Sequence, residues 1–132
     1  MKKIDVMKLL RAAAIAAKNA HAPYSKFRVG SALLADDGKI FNGCNVENAS
    51  YGLTICAERN AVFSAVASGK KKFSAIAIVA SGDKPPYPCG ACRQVLAEFC
   101  GPETKVFIAP ISKLADFETT TLGELLPKTF KL

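Results

Sequence analysis

The sequence of 132 residues has no tryptophan, a single histidine and no apolar run long enough to span a membrane. The lone histidine, His21, excludes a metal site built from several imidazoles. Aromatic residues are not interleaved with basic ones, which disfavours a surface for single-stranded nucleic acid. Asp5 and Lys8 interrupt the apolar region that an N-terminal signal peptide needs. These absences predict a cytoplasmic protein that binds neither a membrane nor a nucleic acid.

The charge and composition fit a folded domain. The formal net charge of +7 would suit an acidic partner, but the basic residues are scattered along the chain. The one basic run, Lys70-Lys71-Lys72, follows Gly69 in a predicted surface loop, and we interpret it as a solvated turn. Half of the residues are hydrophobic, which is enough for a core and excludes a disordered chain. The length predicts a single domain over residues 1–132.

Apolar periodicity and turn signals predict strands that alternate with helices, which indicates a layered α/β fold. The predicted helices cover residues 4–18, 56–68 and 89–99, and the predicted strands cover 29–35, 39–45, 73–80 and 105–109. Thr54 is the predicted N-cap of the second helix. Thr121 and Glu124 have the S/T-x-x-E spacing of a capping box and predict a short fourth helix that Pro127 ends.

Three cysteines and one glutamate, in two separate stretches, offer the chemistry of a catalytic metal site. Cys56 and Glu58 lie close together, and Cys89 and Cys92 form a C-x-x-C pair directly after Pro88. Zinc prefers thiolate ligands, and a C-x-x-C pair can bind one ion from a single turn. Three protein ligands leave the fourth tetrahedral position for water, whose pKa zinc lowers toward neutrality. Glu58 is then the candidate to accept the proton of that water.

Both stretches fall at predicted helix N-termini, where partial positive charge and unpaired N–H groups stabilise thiolates. Arg59 and Arg93, in the first turns, would offset the negative charge of a zinc ion with three thiolates, and ordinary surface charges are the alternative. Cys44 and Cys100 leave a further alternative open, a closed four-cysteine zinc in a binding module without enzymatic activity. The acid beside the three cysteines favours a catalytic zinc, with Cys44 and Cys100 as small buried residues.

The order C-A-E followed by P-C-x-x-C is the signature of zinc-dependent base deaminases, with cysteine where histidine is more common. Further blocks at residues 22–27, 29–34, 45–52 and 125–127, and Phe130 after them, resemble the small homotetrameric cytidine deaminases. The resemblance covers nearly the whole chain. It implies a three-layer α/β/α sandwich, with a mixed sheet of about five strands and helices on both faces. It also implies a homotetramer with shared active sites and one Zn²⁺ per chain, bound by Cys56, Cys89 and Cys92.

For the reaction, the resemblance implies pyrimidine salvage by hydrolytic deamination of cytidine and deoxycytidine to uridine and deoxyuridine plus ammonia. Glu58 would carry the protons, and Arg59 matches an arginine that hydrogen-bonds zinc-ligand sulfurs. The implied substrate contacts are Phe27 on the pyrimidine ring, Asn45 and Glu47 on the ribose 3′-hydroxyl, the backbone of Ala57 on the pyrimidine, and Tyr51 and Phe130 from neighbouring subunits.

The alternative among zinc deaminases is an enzyme for an aminopyrimidine antibiotic such as blasticidin S, which shares both cysteine blocks. The Asn45-Val46-Glu47-Asn48 stretch favours the nucleoside enzyme. The carboxylate of Glu47 would also repel a phosphate, so a nucleoside is favoured over a nucleotide. A deaminase of bases in RNA or DNA is disfavoured because the chain has no aromatic and basic stripe.

Overall fold

The computed structural model of the chain describes residues 3–132. Within them one sheet has the strand order β2-β1-β3-β4-β5, and its strands are β1 (Val29–Ala35), β2 (Ile40–Cys44), β3 (Phe73–Ala80), β4 (Lys105–Pro110) and β5 (Glu118–Thr121). The helices are α1 (Val6–Ala17), α2 (Ala57–Ala67), α3 (Gly90–Phe99) and α4 (Leu122–Leu125), with 3₁₀ turns at Tyr51–Leu53 and Ile111–Asp116. Core clusters on both faces of the sheet confirm the expected three-layer α/β/α sandwich.

The sheet is mixed, as expected, because one of its strand pairs is parallel. β3 pairs with β4 in parallel, whereas the pairs β1–β2, β1–β3 and β4–β5 are antiparallel. Parallel neighbours need a long crossover, and α3 provides it between β3 and β4. The loop that leaves the carboxyl end of β3 therefore leads directly to Cys89 and Cys92.

The central strand β3 packs against helices on both faces. Its residues 75, 77 and 79 belong to the core cluster that includes Leu9 and Leu10 of α1. Residues 76 and 78 belong to the opposite cluster, which includes Val62 of α2 and Leu96 of α3. Successive side chains of a strand point to opposite faces, so an unbroken apolar run is the pattern of a strand covered on both sides.

Two glycines allow helices to approach the sheet closely. A Cβ atom on Gly30 would lie 1.9 Å from the Ala13 carbonyl oxygen in α1. A Cβ atom on Gly43 in β2 would lie 2.3 Å from the Ala57 carbonyl oxygen in the first turn of α2. The absence of a side chain at Gly43 thus lets the start of α2 rest directly on β2.

Some predicted helix ends are correct and others are wrong. The predicted cap of α4 is confirmed, because Thr121 Oγ1 accepts a hydrogen bond from the Glu124 N–H at 3.2 Å. The Glu124 carboxylate accepts from the Thr121 hydroxyl at 3.3 Å. The predicted cap of α2 is wrong: Cys56 is the N-cap, and Thr54 Oγ1 accepts from the Asn48 N–H at 3.1 Å. The first helix begins at Val6 with Asp5 as its N-cap, not at Ile4.

The sequence patterns do not predict β5 or the 3₁₀ turn at Ile111–Asp116. The residues of β5 are Glu118-Thr119-Thr120-Thr121, which have no apolar alternation. The strand forms through its antiparallel pairing with β4, in which Phe107 faces Thr119. Its strand state therefore comes from tertiary pairing rather than from a local hydrophobic pattern.

The lysine run lies between α2 and β3. Lys70 Nζ is 2.6 Å from Asp37 Oδ2 in the turn between β1 and β2. This pair lowers the pKa of Asp37 and raises the pKa of Lys70. One of the three lysine charges thus has a partner within the chain.

No helix formed by residues 3–132 is long and apolar enough to cross a membrane.

Candidate metal centre

The three predicted metal ligands converge, although Cys56 is far from the other two in sequence. Cys56 Sγ lies 3.9 Å from Cys89 Sγ, and Cys89 Sγ lies 3.5 Å from Cys92 Sγ. All three sulfurs lie within 4.8 Å of one another. A tetrahedral zinc with Zn–S bonds of about 2.3 Å holds its sulfurs about 3.8 Å apart. The spacing and chemistry of these three donors therefore fit zinc.

The positions of the cysteines on their helices favour thiolates. Cys56 is the N-cap of α2, Cys89 is the N-cap of α3, and Cys92 lies in the first turn of α3. Neither N-cap side chain accepts a hydrogen bond from its own helix, so both sulfurs remain free to bind an ion. The partial positive charge of two helix N-termini converges on the sulfurs and lowers the energy of bound negative charge.

The sulfurs are also coupled to one another and to an arginine. Hydrogen bonding to the Cys92 side chain, followed by Arg59 and Cys89, lowers the pKa of Cys56 to about 5. The hydrogen bond between Cys56 and Cys92 raises the pKa of Cys92, and burial is the second cause. Arg59 Nη2 donates to Cys56 Sγ at 3.5 Å, and the pKa of Arg59 is raised chiefly by this hydrogen bond. The Nε of Arg59 is buried without a hydrogen-bond partner among the described residues.

Glu58 occupies the first turn of α2 and is only 4 % exposed. Burial raises the pKa of Glu58 to about 7, and the nearby negative charge of Cys56 acts in the same direction. The ordinary pKa of a glutamate is 4.5, so an exposed glutamate would be fully ionised at neutral pH. A carboxyl group that titrates near neutrality suits a group that both accepts and donates a proton.

Two hydrogen bonds that were not expected from the sequence hold the start of α2. Ser31 in β1 is fully buried, and its Oγ donates to the Ala57 carbonyl at 2.9 Å. Asn60 Nδ2 donates to the Cys44 carbonyl at 2.8 Å from the next turn of the helix. A serine within the apolar run V-G-S-A-L-L-A is the only sequence signal for the first of these contacts. Both contacts fix the segment that carries Cys56 and Glu58.

Arg93 is not an ordinary surface charge. Its Nε donates to the Pro88 carbonyl and its Nη1 donates to the Leu125 carbonyl, each at 2.7 Å. Pro88 immediately precedes Cys89, and Leu125 is the last residue of α4. The arginine therefore connects the loop of the C-x-x-C pair to the C-terminal segment. No sequence pattern signals this contact, because the two carbonyls belong to distant parts of the chain.

A second group of predicted site residues is joined by hydrogen bonds around Phe27, which is 44 % exposed just before β1. The buried Asn45 donates through Nδ2 to the Phe27 carbonyl at 2.8 Å and accepts at Oδ1 from the Val29 N–H at 2.9 Å. The Glu47 carboxylate accepts from the Tyr24 N–H at 3.0 Å and the Ser25 N–H at 3.2 Å. In this chain Asn45 and Glu47 thus organise the backbone that presents the Phe27 ring.

The two groups meet through a short bridge of backbone hydrogen bonds. Val46 and Ile55 each donate to the carbonyl of the other at 3.0 Å. Val46 is adjacent to Glu47, and Ile55 is adjacent to Cys56. The bridge therefore places the Asn45–Glu47 segment beside the metal-binding segment, as one site requires.

The remaining predicted contacts lie at the periphery. Tyr51 is 77 % exposed and meets the ring of Tyr24 edge-on, with centroids 6.1 Å apart. Phe130 is 69 % exposed in the segment after α4, and none of the aromatic pairs among residues 3–132 includes it. The structure therefore joins Tyr51, but not Phe130, to the group around Phe27.

The other two cysteines stay outside the sulfur cluster. Among residues 3–132 the candidate metal group consists of Cys56, Cys89 and Cys92 alone. Cys100 is buried behind α3, and burial raises the pKa of its thiol to about 11. Cys44 is partly buried at the end of β2. The described residues thus form no closed four-cysteine site.

Comparisons with known proteins agree with this geometry. Residues 4–109 match the family described as "Cytidine and deoxycytidylate deaminase zinc-binding region". A cytidine deaminase from Sporosarcina psychrophila is 50% identical over 96% of this chain and 92% of its own length. One from Halalkalibacterium halodurans is 48% identical over 96% of this chain and 95% of its own. The crystal structure of cytidine deaminase from Burkholderia pseudomallei superposes with a TM-score of 0.90 at 49% identity, covering 96% of this chain and all of that one. The chain belongs to the cytidine and deoxycytidylate deaminase family.

Proposed function

We propose that this protein deaminates cytidine and deoxycytidine hydrolytically, releasing uridine or deoxyuridine and ammonia. The observation that carries the proposal is the meeting of three thiols at two helix N-termini beside the buried Glu58, in a chain of this family. Cys56, Cys89 and Cys92 are the proposed ligands of one zinc ion. A zinc ion held by these residues would supply a water molecule whose pKa is lowered toward neutrality.

Glu58 is the proposed proton carrier. Its carboxylate oxygen takes a proton from the attacking water and delivers it to N3 of the pyrimidine. The water oxygen bonds to C4, and Glu58 then transfers the remaining proton of that oxygen to the amine at C4. The C4–N bond breaks, and the amine departs as ammonia. The raised pKa of about 7 supports both steps, because the carboxyl group can exist in either protonation state near neutral pH. Arg59, bonded to Cys56 Sγ, offsets the negative charge of three thiolates.

The proposed substrate is a nucleoside. Phe27 would pack on the pyrimidine, the backbone of Ala57 would bind its polar edge, and Asn45 and Glu47 would bind the ribose 3′-hydroxyl. The pKa of Glu47 is lowered, chiefly by a hydrogen bond from Ser25, so its carboxylate is charged at neutral pH. A negative charge beside the sugar repels a phosphate, which supports a nucleoside rather than a nucleotide.

We further propose a homotetramer in which Tyr51 and Phe130 complete the sites of neighbouring subunits. Both rings are more than two-thirds exposed in the single chain. Both rings are therefore accessible to a neighbouring subunit in the proposed assembly. The proposal treats residues 1–132 as one catalytic domain and requires no nucleic-acid or membrane partner. It assigns the protein to the cytoplasm, where three thiols stay reduced for metal binding.

The test is a substrate panel measured by ultraviolet absorbance with the purified, zinc-loaded protein. Cytidine and deoxycytidine are expected to be converted, whereas cytidine monophosphate and blasticidin S are expected to react much more slowly. Preferential turnover of the monophosphate would contradict the role of Glu47. Preferential turnover of blasticidin S would replace the proposed substrate with an aminopyrimidine antibiotic.

A further inference from the structure

The Glu47 carboxylate lies in a pocket of backbone N–H groups formed by the turn at residues 22–26. The turn is closed by the Lys26 N–H, which donates to the Ala22 carbonyl at 3.0 Å, and Lys26 has a φ of 61° in the left-handed region. The N–H groups of Tyr24 and Ser25 both point to Glu47 Oε1. Consecutive N–H groups that converge in this way form an anion-binding nest. Here the anion is supplied by the chain itself.

The hydroxyl group of Ser25 connects this nest to Phe27. Its Oγ donates to Glu47 Oε2 and accepts from the Phe27 N–H at 3.0 Å. A serine hydroxyl has one proton and two lone pairs, so it can make both bonds at once. An ionised carboxylate has about four acceptor positions, and three are used by Tyr24 and Ser25. The remaining position is available to a substrate hydroxyl.

We propose that Ser25 is a positioning residue for the deamination reaction, and that its hydroxyl holds Glu47 and Phe27 in one arrangement so that the sugar and the base bind together. This inference rests on the proposed function. Among the described hydrogen bonds, Ser25 makes none to Cys56, Cys89, Cys92 or Glu58, and it acts through the two residues it bonds. Hydrogen bonding from Ser25 is also the largest cause of the lowered pKa of Glu47.

The chain offers a matched control next to this network. Ser81 Oγ accepts a hydrogen bond from the Arg28 N–H at 2.9 Å, one residue beyond Phe27. The bond has the same chemistry as the one between Ser25 and the Phe27 N–H, but Ser81 makes no hydrogen bond to Glu47 among the described contacts. Ser81→Ala therefore removes comparable local support without disturbing the carboxylate.

The experiment measures kcat and KM with cytidine and with 3′-deoxycytidine, which lacks the hydroxyl assigned to Glu47. Ser25→Ala is expected to lower kcat/KM for cytidine by about tenfold, mainly through KM, because it removes a hydrogen bond to a charged group. The loss on 3′-deoxycytidine is expected to stay within about threefold, because no sugar hydroxyl remains to be misplaced and only the support of Phe27 is lost. Ser25→Thr keeps the hydroxyl and is expected to behave as the wild type. Ser81→Ala is also expected to leave the selectivity between the two nucleosides unchanged.

A double-mutant comparison separates positioning from general loosening. In a Glu47→Gln background, Ser25→Ala is expected to cost less than about threefold, because both changes disrupt one network. The inference would be overturned if the effects of Ser25→Ala and Glu47→Gln on kcat/KM were fully additive, or if Ser25→Ala lost equally on the two nucleosides. It would also be overturned if Ser81→Ala changed the selectivity as much as Ser25→Ala does, or if Ser25→Thr lost as much activity as Ser25→Ala. Failure of the wild type to convert cytidine would instead overturn the proposed function. An active wild type with unchanged selectivity in Ser25→Ala would overturn this inference alone.

Discussion

At the scale of single residues, Glu58 differs from the other acids of the chain by its burial. A carboxyl group 4 % exposed, beside a thiol cluster, has its pKa raised to about 7 by desolvation. Glu98 in α3 is a useful contrast, because it is exposed on the same kind of element. We therefore assign proton transfer to Glu58 and no role in the reaction to Glu98.

Glu58→Gln is therefore expected to lower kcat by at least about a hundredfold while one zinc per chain remains bound. The amide keeps the shape of the side chain but cannot take up the water proton. The matched variant Glu98→Gln is expected to keep wild-type activity. Steady-state rates and zinc content per chain check both statements, and near-normal turnover by Glu58→Gln would remove this residue from the mechanism.

Glu47 gives a prediction about pH. Its pKa is lowered in the folded chain relative to the ordinary value of 4.5, so its hydrogen bonds stabilise the fold above that pH. The contribution is lost as the pH falls through the lowered folded-state pKa. The melting temperature of wild type is thus expected to exceed that of Glu47→Gln at neutral pH, and the difference should shrink below pH 4.5. Wild type and Glu47→Gln keep the same cysteines, so loss of zinc in acid lowers both melting temperatures and does not account for a change in their difference. A difference that does not shrink in acid would contradict this assignment.

At the scale of elements, the contact between β2 and α2 determines where Cys56, a proposed metal ligand, lies. A Cβ atom at Gly43 would meet the Ala57 carbonyl oxygen at 2.3 Å and the Ala61 nitrogen at 2.5 Å. Both are backbone atoms, so a side-chain rotation cannot relieve the overlap. Any added methyl group must move the start of α2 away from the sheet.

Gly43→Ala is accordingly expected to destabilise the zinc-loaded protein by about 3 kcal/mol and to weaken zinc binding. Gly52→Ala is the control, because its added Cβ would have nothing within 4 Å and its backbone needs no positive φ. That variant is expected to stay within about 1 kcal/mol of wild type. Denaturant unfolding and competition with a zinc chelator measure the two effects. If Gly43→Ala had the free energy of unfolding of the wild type, the prediction would be contradicted, because α2 could then move away from β2 at little cost in stability.

The elements also show what the sequence could and could not predict. The long apolar runs of β1 and β3 and the Thr121 cap of α4 follow from local patterns, and the structure agrees with them. The strand β5 has no such pattern and forms only through pairing with β4. The convergence of Cys56, Cys89 and Cys92 was predictable because their spacing is itself the chemical signature of a zinc site.

The contacts of Ser25, Ser31 and Arg93 were not predictable in the same way. Each joins segments far apart in the sequence, as Arg93 does between Pro88 and Leu125. A side chain that bonds a group far away in the sequence leaves no periodicity and no fixed spacing. Such contacts follow from the packed fold, so they emerge only when the topology is known.

At the scale of the whole molecule, the proposed shared site predicts complementation between two defective variants. Glu58→Gln and an impaired Phe130→Ala are dissociated, mixed and reassociated. With random mixing, about a quarter of the sites would combine an intact Glu58 with an intact Phe130 from another chain. Activity is expected to rise above that of both parents. If mixed oligomers are verified and Phe130→Ala is clearly impaired, the absence of any gain would exclude sharing of Phe130.

The central claim is that deamination depends on one zinc ion held by Cys56, Cys89 and Cys92. The most direct test removes the metal with a chelator, returns zinc in measured amounts, and follows the rate of cytidine deamination at each step. The account predicts that the rate falls to background on removal and rises in proportion to bound zinc, reaching its maximum at one ion per chain. Full activity without zinc, or no deamination of cytidine by protein that holds one zinc per chain, would contradict it.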